Sequence, residues 1–142
     1  MRVYFDASII IAALLSPKGG SSELLKFVKK GIIKGITSQT VIEEILEEDK
    51  PEKLKRSRDQ IGQFIAKSGL LIRKSITAKE IESYKDMIDD EDAHLIAGAN
   101  LTRCSYLVSL DKKHVLKLDI KKNFLPLRIV SPKELLEEIL SR

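Results

Sequence analysis

The sequence has very few of the residues that build disulfide bonds and zinc sites. It contains one cysteine, Cys104, and two histidines among 142 residues. A single cysteine cannot form an internal disulfide bond, and one thiol with two isolated imidazoles does not supply the ligands of a structural zinc site. These shortages argue against a disulfide-stabilised scaffold or a zinc domain, and they favour a protein of a reducing compartment.

Long apolar runs and leader-like segments are lacking as well. Strand-like residues begin at Arg2 without the charged-then-apolar pattern of a secretory signal. No apolar stretch approaches the length of a membrane span, and there is no repeat, low-complexity tract or linker. We therefore expect an intracellular, cytoplasmic protein without membrane contact, which forms a single domain over residues 1–142.

Charge and hydrophobic content restrict the class of protein less strongly. Hydrophobic residues make up 43% of the chain, which is enough for a full core. The 25 lysines and arginines exceed the 21 acidic residues, and the net charge is +4. If four of the acids gather in one site, the rest of the surface is more basic than this total suggests. A polyanionic partner is therefore permitted, but the charge alone does not indicate one.

Short β-rich runs alternate with helical patterns along the whole chain. Each run is apolar on both faces, as central parallel strands are. This alternation predicts an α/β fold, namely a three-layer α/β/α sandwich with a mainly parallel central sheet. The strands are expected near 2–6, 33–38, 70–74, 106–110 and 127–130, and the helices near 8–15, 21–30, 40–48, 53–67, 78–88, 91–102 and 132–140.

Several helix starts carry capping signals. Thr40 with Glu43 and Thr77 with Glu80 fit a capping box, and Ser131 precedes a proline at the first helical position. The polar, largely basic stretch 47–60 is expected to begin a solvated helix, in which Glu47 and Glu48 face solvent. An arm that contacts phosphates is the alternative for this stretch.

Four carboxylates stand where an apolar environment makes them costly. Asp6 and Asp111 each end an apolar strand, Asp92 opens a helix of small apolar residues, and Glu44 lies within an apolar helix. Buried acids need a positive partner, and a divalent cation with oxygen ligands is the simplest candidate. In a parallel sheet the carboxyl ends of the strands share one edge, so these acids can converge there.

Each acid has an ordinary structural alternative. Asp6 and Asp111 can be turn formers or helix caps. Asp92 can be one of several acids that favour a helix N-terminus. Spacing does not separate Glu44 from Glu43, but a capping box at Thr40 would occupy Glu43 and leave Glu44 free.

Hydroxyl, lysine and histidine side chains accompany the acids. Ser8 and Ser109 can orient a carboxylate or a metal-bound water; the alternatives are a helix cap and a filler. Lys112 and Lys113 are placed to contact substrate phosphates, although a solvated helix start is the more ordinary reading. His114 can approach the site from three residues past Asp111, but a surface role is favoured.

The chemistry that fits such a cluster is metal-dependent hydrolysis of phosphate esters. Several carboxylates in one place repel each other unless cations are present. One or two Mg²⁺ or Mn²⁺ ions can neutralise them, bind a scissile phosphate, activate water and stabilise the leaving oxygen. The sequence offers no convincing histidine or serine nucleophile, and this mechanism requires none.

The segments that carry these residues are 3–8, Ser38 with Glu44, 89–99 and 106–111. Taken in order, they resemble the acidic motifs of the PIN domain. The resemblance covers nearly the whole chain, and its closing segment is similar to that of PIN-family toxin components of prokaryotes. It implies a Mg²⁺- or Mn²⁺-dependent ribonuclease of the VapC type, whose relatives are often dimeric and paired with an antitoxin. By motif match it implies Asp6, Glu44, Asp92 and Asp111 as metal ligands and Ser109 as a supporting hydroxyl. The closing segment of the resemblance is 129–135.

Three hypotheses follow. The leading one is an endoribonuclease that acts on RNA, either as a toxin with an antitoxin partner or in RNA processing. The second is a non-catalytic PIN-like module that binds RNA or protein, because Ala7 replaces the threonine common in the first motif and 47–60 is basic. The third is a phosphatase with Asp6 as nucleophile; it is disfavoured because Ser8 stands where such enzymes usually have a second aspartate.

Overall fold

A five-stranded parallel sheet organises the chain. The computed structural model describes residues 1–47 and 49–142. The strand order is β3-β2-β1-β4-β5, and every neighbouring pair is parallel. The strands are Arg2–Phe5 (β1), Lys34–Ser38 (β2), Leu71–Arg73 (β3), Tyr106–Val108 (β4) and Arg128–Val130 (β5).

Helices cover both faces of this sheet. Val3, Tyr4 and Phe5 on β1 are each 0% exposed, and successive strand residues point to opposite faces, so both faces are buried. The predicted three-layer α/β/α sandwich is therefore confirmed. The helices are Ala7–Leu15 (α1), Gly20–Lys29 (α2), Gln39–Ile45 (α3), Lys50–Leu54 (α4), Arg58–Lys67 (α5), Ala78–Ile81 (α6), Asp90–Leu101 (α7), Leu118–Asn123 (α8) and Pro132–Leu140 (α9), with a 3₁₀ turn at Glu82–Tyr84.

The register of the sheet brings two strand ends side by side. Phe5 on β1 pairs with Val108 on β4, so the residues that follow them, Asp6 and Ser109, leave the sheet together. The backbone N–H of Asp6 continues the pairing by donating to the carbonyl of Val108 at 3.2 Å. Helix α7 packs on β1, β2 and β4, which places its first turn near this edge.

All five predicted strands are present, but three expected helices differ from the structure and one helix was not predicted. The helix expected at 53–67 is two helices, because Lys55 adopts a left-handed conformation with φ of 55° and Ser57 begins α5 with its own capping box. The helix expected at 78–88 ends early in the 3₁₀ turn, and α8 was not predicted. The helix expected at 40–48 ends at Ile45; the expectations for Glu48 lie outside the described residues.

One of the two predicted capping boxes is confirmed and the other is wrong. Thr77 forms the predicted box at the start of α6. Ser131, which precedes the predicted proline at the first helical position, also forms a capping box at the start of α9. At α3 the cap is Ser38, whose hydroxyl accepts the N–H of Val41, because the helix begins before Thr40. The Thr40 hydroxyl instead accepts the N–H of Ile76 at 2.8 Å. Glu43 is therefore not held in a cap, and its distinction from Glu44 has another cause, given below.

Within residues 1–47 and 49–142, none of the helices combines the length and the apolar character that a membrane span requires.

Candidate metal centre at the carboxyl edge of the sheet

Asp6 is a buried carboxylate held by hydroxyl groups. It is only 7% exposed and stands at the N-cap position of α1, yet its side chain makes no capping hydrogen bond. Its Oδ2 instead accepts hydrogen bonds from the hydroxyls of Ser109 at 2.7 Å and Ser8 at 3.1 Å. Neither a cap nor a turn therefore accounts for this side chain, and both serines predicted as supporting residues contact it.

The same two hydroxyls tie β1 to the loop after β4. Ser109 accepts the backbone N–H of Asp111 at 3.0 Å, and Ser8 accepts that of Leu110 at 3.1 Å. Each hydroxyl thus donates to Asp6 and accepts from the chain segment that carries Asp111. The two strand-end acids are held relative to each other by protein groups alone.

Asp111 closes a turn and faces a histidine. Its Oδ1 accepts the backbone N–H groups of Lys113 at 3.2 Å and His114 at 3.1 Å, so the turn-former interpretation holds for this oxygen. Its Oδ2 lies 3.2 Å from Nδ1 of His114. One ligand atom from each of Asp92, Asp111 and His114 lies within 4.8 Å of the other two. The structure therefore brings Asp92 and Asp111 together, as expected, and adds His114.

Asp92 reaches this edge from the first turn of α7. It is half-buried, in contrast with its exposed neighbours Asp90 and Glu91. Burial raises the pKa of Asp92 to about 6, and the nearby charge of Asp111 adds to this rise, while His114 opposes it. A carboxyl group with this pKa carries its charge at a cost unless a cation is nearby.

Electrostatic repulsion links the four predicted acids. Burial raises the pKa of Asp6 although Ser109 and Ser8 donate to it, and the charge of Glu44 contributes to the rise. Asp6 in turn contributes to the raised pKa of Asp92. Asp6 and Glu44 do not belong to the tight cluster of Asp92, Asp111 and His114, but they lie close enough to influence it.

Glu44 lies against a buried histidine that the sequence did not identify. The Glu44 side chain is 31% exposed, and its Oε1 is in direct contact with Nε2 of His94, whose side chain is 6% exposed. Within the described part of the chain, neither ring nitrogen of His94 makes a well-directed hydrogen bond. Glu43 is exposed. Contact with α7 thus separates Glu44 from Glu43, and no sequence signal could show it because it depends on how α3 and α7 pack.

Two lysines that the sequence did not single out line a cleft beside the cluster. Lys85 and Lys117 line a cleft of about 770 Å³ together with Asp92 and His114. Lys112 and Lys113 are exposed after Asp111, but Lys112 lines a different groove, beside α9. Lys85 lies in the turns before α7, and no sequence pattern around it indicated a role.

The donor atoms at this edge suit a divalent cation. Carboxylate oxygens are the ligands that Mg²⁺ and Mn²⁺ prefer, and a positive neighbour offsets the cost of charge on the half-buried Asp92. The three clustered donors are close enough to share one ion. The residues present therefore fit the cation that the resemblance implies.

A parallel α/β sheet with acids beyond its strand ends belongs to the class of folds that bind ligands at the carboxyl edge. A family model described as PIN domain matches residues 2–113. The chain belongs to the PIN domain family. The structure is also similar to a chain in the crystal structure of VapBC2 from Rickettsia felis bound to a DNA fragment from their promoter. This match has a TM-score of 0.63 and 16% identity, and it covers 92% of this chain and 98% of that one. No curated protein matches the sequence significantly.

Proposed function

We propose that this protein is a metal-dependent endoribonuclease that hydrolyses RNA phosphodiester bonds with Mg²⁺ or Mn²⁺. The observation that carries the proposal is the acidic edge itself. Asp92 and Asp111 lie within one cation's reach of each other, and Asp6 is buried beside them with two hydroxyls directed at it. Membership of the PIN domain family supports the same activity.

Each residue at the edge has a proposed role. Asp6, Glu44, Asp92 and Asp111 hold the cation, and Ser8 and Ser109 fix the orientation of the Asp6 carboxylate. A divalent cation, when bound, supplies positive charge for the scissile phosphate and activates water. Four lysines bind the RNA backbone: Lys85 and Lys117 in the cleft, and the predicted Lys112 and Lys113 after Asp111. His94 positions Glu44 through their direct contact.

A toxin role is the more specific form of this proposal. The structural neighbour comes from a VapBC2 complex, which supports a paired antitoxin protein as the partner we propose. A homodimeric assembly and a cytoplasmic location are proposed from the family resemblance alone. Co-expression of the chain with the reading frame beside its gene tests this. Co-purification and relief of growth arrest support a toxin, whereas growth without arrest in the absence of the neighbour favours RNA processing.

Cleavage of a labelled structured RNA by the purified protein tests the activity. The wild type should cleave with Mn²⁺ and not with EDTA, and Asp92→Asn should abolish cleavage. Glu91→Gln is the matched control, because Glu91 is the exposed acid next to it in the same helical turn. If Asp92→Asn cleaves as well as the wild type, the proposed site is wrong.

The second candidate function is a non-catalytic PIN-like module that binds RNA or protein, and the same protein preparations can distinguish it from the nuclease. The altered first motif, with Ala7 after Asp6, favours this candidate. Calorimetric titration of the wild type with millimolar Mn²⁺ separates the two functions. A folded protein that binds RNA but binds no Mn²⁺ would support the module and overturn the nuclease.

A further inference from the structure

The ring of His114 is held beside the acidic cluster by the local backbone. The N–H groups of Lys113 and His114 both donate to Oδ1 of Asp111, which fixes the turn that carries the ring. The ring nitrogen Nδ1 then lies 3.2 Å from the other carboxylate oxygen of Asp111. The imidazole is therefore placed by the same turn that places the carboxylate.

The spacing of the three donors is close to that of one coordination sphere. A six-coordinate cation with bonds of roughly 2.1 Å places adjacent ligand atoms roughly 3 Å apart and opposite ones roughly 4.2 Å apart. One donor atom each from Asp92, Asp111 and His114 lies within 4.8 Å of the other two. A small contraction around an ion would bring all three into one sphere.

Asp92 and His114 also share the same open space. Both line the cleft of about 770 Å³, which has room for an ion with its remaining waters and for part of a substrate.

We propose that His114 is a direct metal ligand and that its nitrogen makes the site select Mn²⁺ over Mg²⁺. Mg²⁺ favours oxygen ligands and dehydrates reluctantly, whereas transition-metal ions accept imidazole nitrogen more readily. This inference rests on the proposed function, because it concerns the same acidic site. It specifies the ion that the site prefers and adds a ligand that the motif match did not include.

Pulsed electron paramagnetic resonance of the Mn²⁺-loaded protein tests the ligand directly. A nitrogen bound to Mn²⁺ gives a ¹⁴N hyperfine coupling, which we expect in the wild type and not in His114→Gln. The chain has only two histidines, so loss of the coupling in His114→Gln alone assigns the nitrogen to the His114 ring. His114 is exposed, so its replacement should leave the fold intact.

Metal competition supplies the second readout. His114→Gln should weaken Mn²⁺ binding on the order of tenfold while Mg²⁺ binding changes little, so the preference for Mn²⁺ falls. Mn²⁺ binding without ¹⁴N coupling, or an unchanged preference in His114→Gln, would overturn the role of His114 and leave the acidic site standing. If Asp92→Asn and Asp111→Asn bind Mn²⁺ like the wild type, the acidic site itself fails.

Discussion

Asp6 and Asp92 show how a candidate functional site can oppose the stability of the chain that carries it. Both carboxyl groups have raised pKa values because they are buried, and other acids add to the effect. Hydrogen bonds from the hydroxyls of Ser8 and Ser109 stabilise the charged form of Asp6 and offset part of its burial. No hydrogen-bond donor is among the groups that most strongly affect the pKa of Asp92 in the described chain. Without a cation, the charge on Asp92 therefore works against folding.

The first prediction follows from the sign of this shift. The pKa of Asp92 rises from 3.8 to about 6 on folding, so the folded state keeps its proton while the unfolded state loses it. Stability from this group therefore falls as pH rises from about 4 to 6 and stays low above that window. In EDTA at pH 8, Asp92→Asn should raise the melting temperature by about 2–4 °C, a modest gain because Asp92 is only half-buried.

The pH dependence and a neighbouring variant control this measurement. At pH 4 the difference between Asp92→Asn and the wild type should shrink, because the carboxyl group is then protonated, and so uncharged, in the folded state. Glu91→Gln, in the same turn but exposed, should change the melting temperature little at either pH. An Asp92→Asn protein that is less stable than the wild type at pH 8 would contradict the prediction.

The second prediction concerns the buried hydroxyl that joins the two strand ends. Ser109→Ala removes the donor to Asp6 and leaves the N–H of Asp111 without its acceptor. We expect a loss of about 1–3 kcal/mol in the free energy of unfolding, measured by urea denaturation. Ser105→Ala, which removes an exposed hydroxyl three residues before the end of β4, should cost much less. Equal effects of the two changes would show that the link between Asp6 and Asp111 is energetically unimportant.

At the scale of elements, α7 positions the site because it packs unusually close to β1. Gly98 lies against Tyr4, and a Cβ atom at position 98 would overlap the Tyr4 hydroxyl. Tyr4 is fully buried, and burial raises its pKa to about 12, so it fills this contact as a neutral group. The distance between helix and strand at Gly98 therefore sets where the first turn of α7, with Asp92 and His94, meets the sheet edge.

The third prediction tests this contact with two glycines on different helices. Gly98→Ala should destabilise the protein by about 1–3 kcal/mol, because Tyr4 or the helix must move, and it should weaken Mn²⁺ binding by displacing Asp92. Gly62→Ala on α5 is the control, since a Cβ atom there meets nothing within 4 Å. It should stabilise the protein by about 0.5–1 kcal/mol. Calorimetry of folding and of Mn²⁺ binding measures both, and a neutral Gly98→Ala would contradict this role of α7.

The elements that sequence analysis predicted well carry strong local signals. The strands β1 and β4 are short apolar runs with an acid or hydroxyl at the end, and Ser131 with Pro132 specifies the start of α9. The misplaced elements lack such signals or carry competing ones. Thr40 fits a capping box, but Ser38 caps α3 first, and Thr40 binds Ile76 through a tertiary contact. Lys55 ends a helix in the left-handed conformation, and no glycine at this position indicates the break in the sequence.

The candidate site likewise contains residues that the sequence could place and residues that it could not. Asp6, Asp92 and Asp111 could be placed at one edge because parallel strands and a packed helix share it. The approach of His94 to Glu44 and of His114 to Asp92 depends on contacts between elements, and periodicity cannot report such contacts. Sequence analysis favoured a surface role for His114 over an approach to the site, and the structure places it both at the surface and beside the acids.

At the scale of the whole molecule, the distribution of charge matters more than its sum. The net charge is +4, although acids are concentrated at the carboxyl edge of the sheet. Basic residues near that edge must therefore offset a local negative field before an RNA backbone can approach. The cleft beside Asp92 brings Lys85 and Lys117 to this position. We expect these lysines, rather than the total charge, to determine RNA binding at the site.

The last prediction tests that distribution in an Asp92→Asn background, where RNA should remain intact during binding. Removing Lys85 and Lys117 by alanine substitution should weaken RNA binding and lessen its salt dependence. For two lost contacts to single-stranded RNA, the slope of log affinity against log salt should become less steep by about 1.4. Lys30 and Lys34 provide a control pair of equal charge, because they lie at the amino end of β2, opposite the acidic edge. Their removal should leave the slope nearly unchanged. If Lys112 and Lys113 carry the full effect instead, RNA follows the groove beside α9, and the cleft lined by Lys85 and Lys117 has no part in binding it.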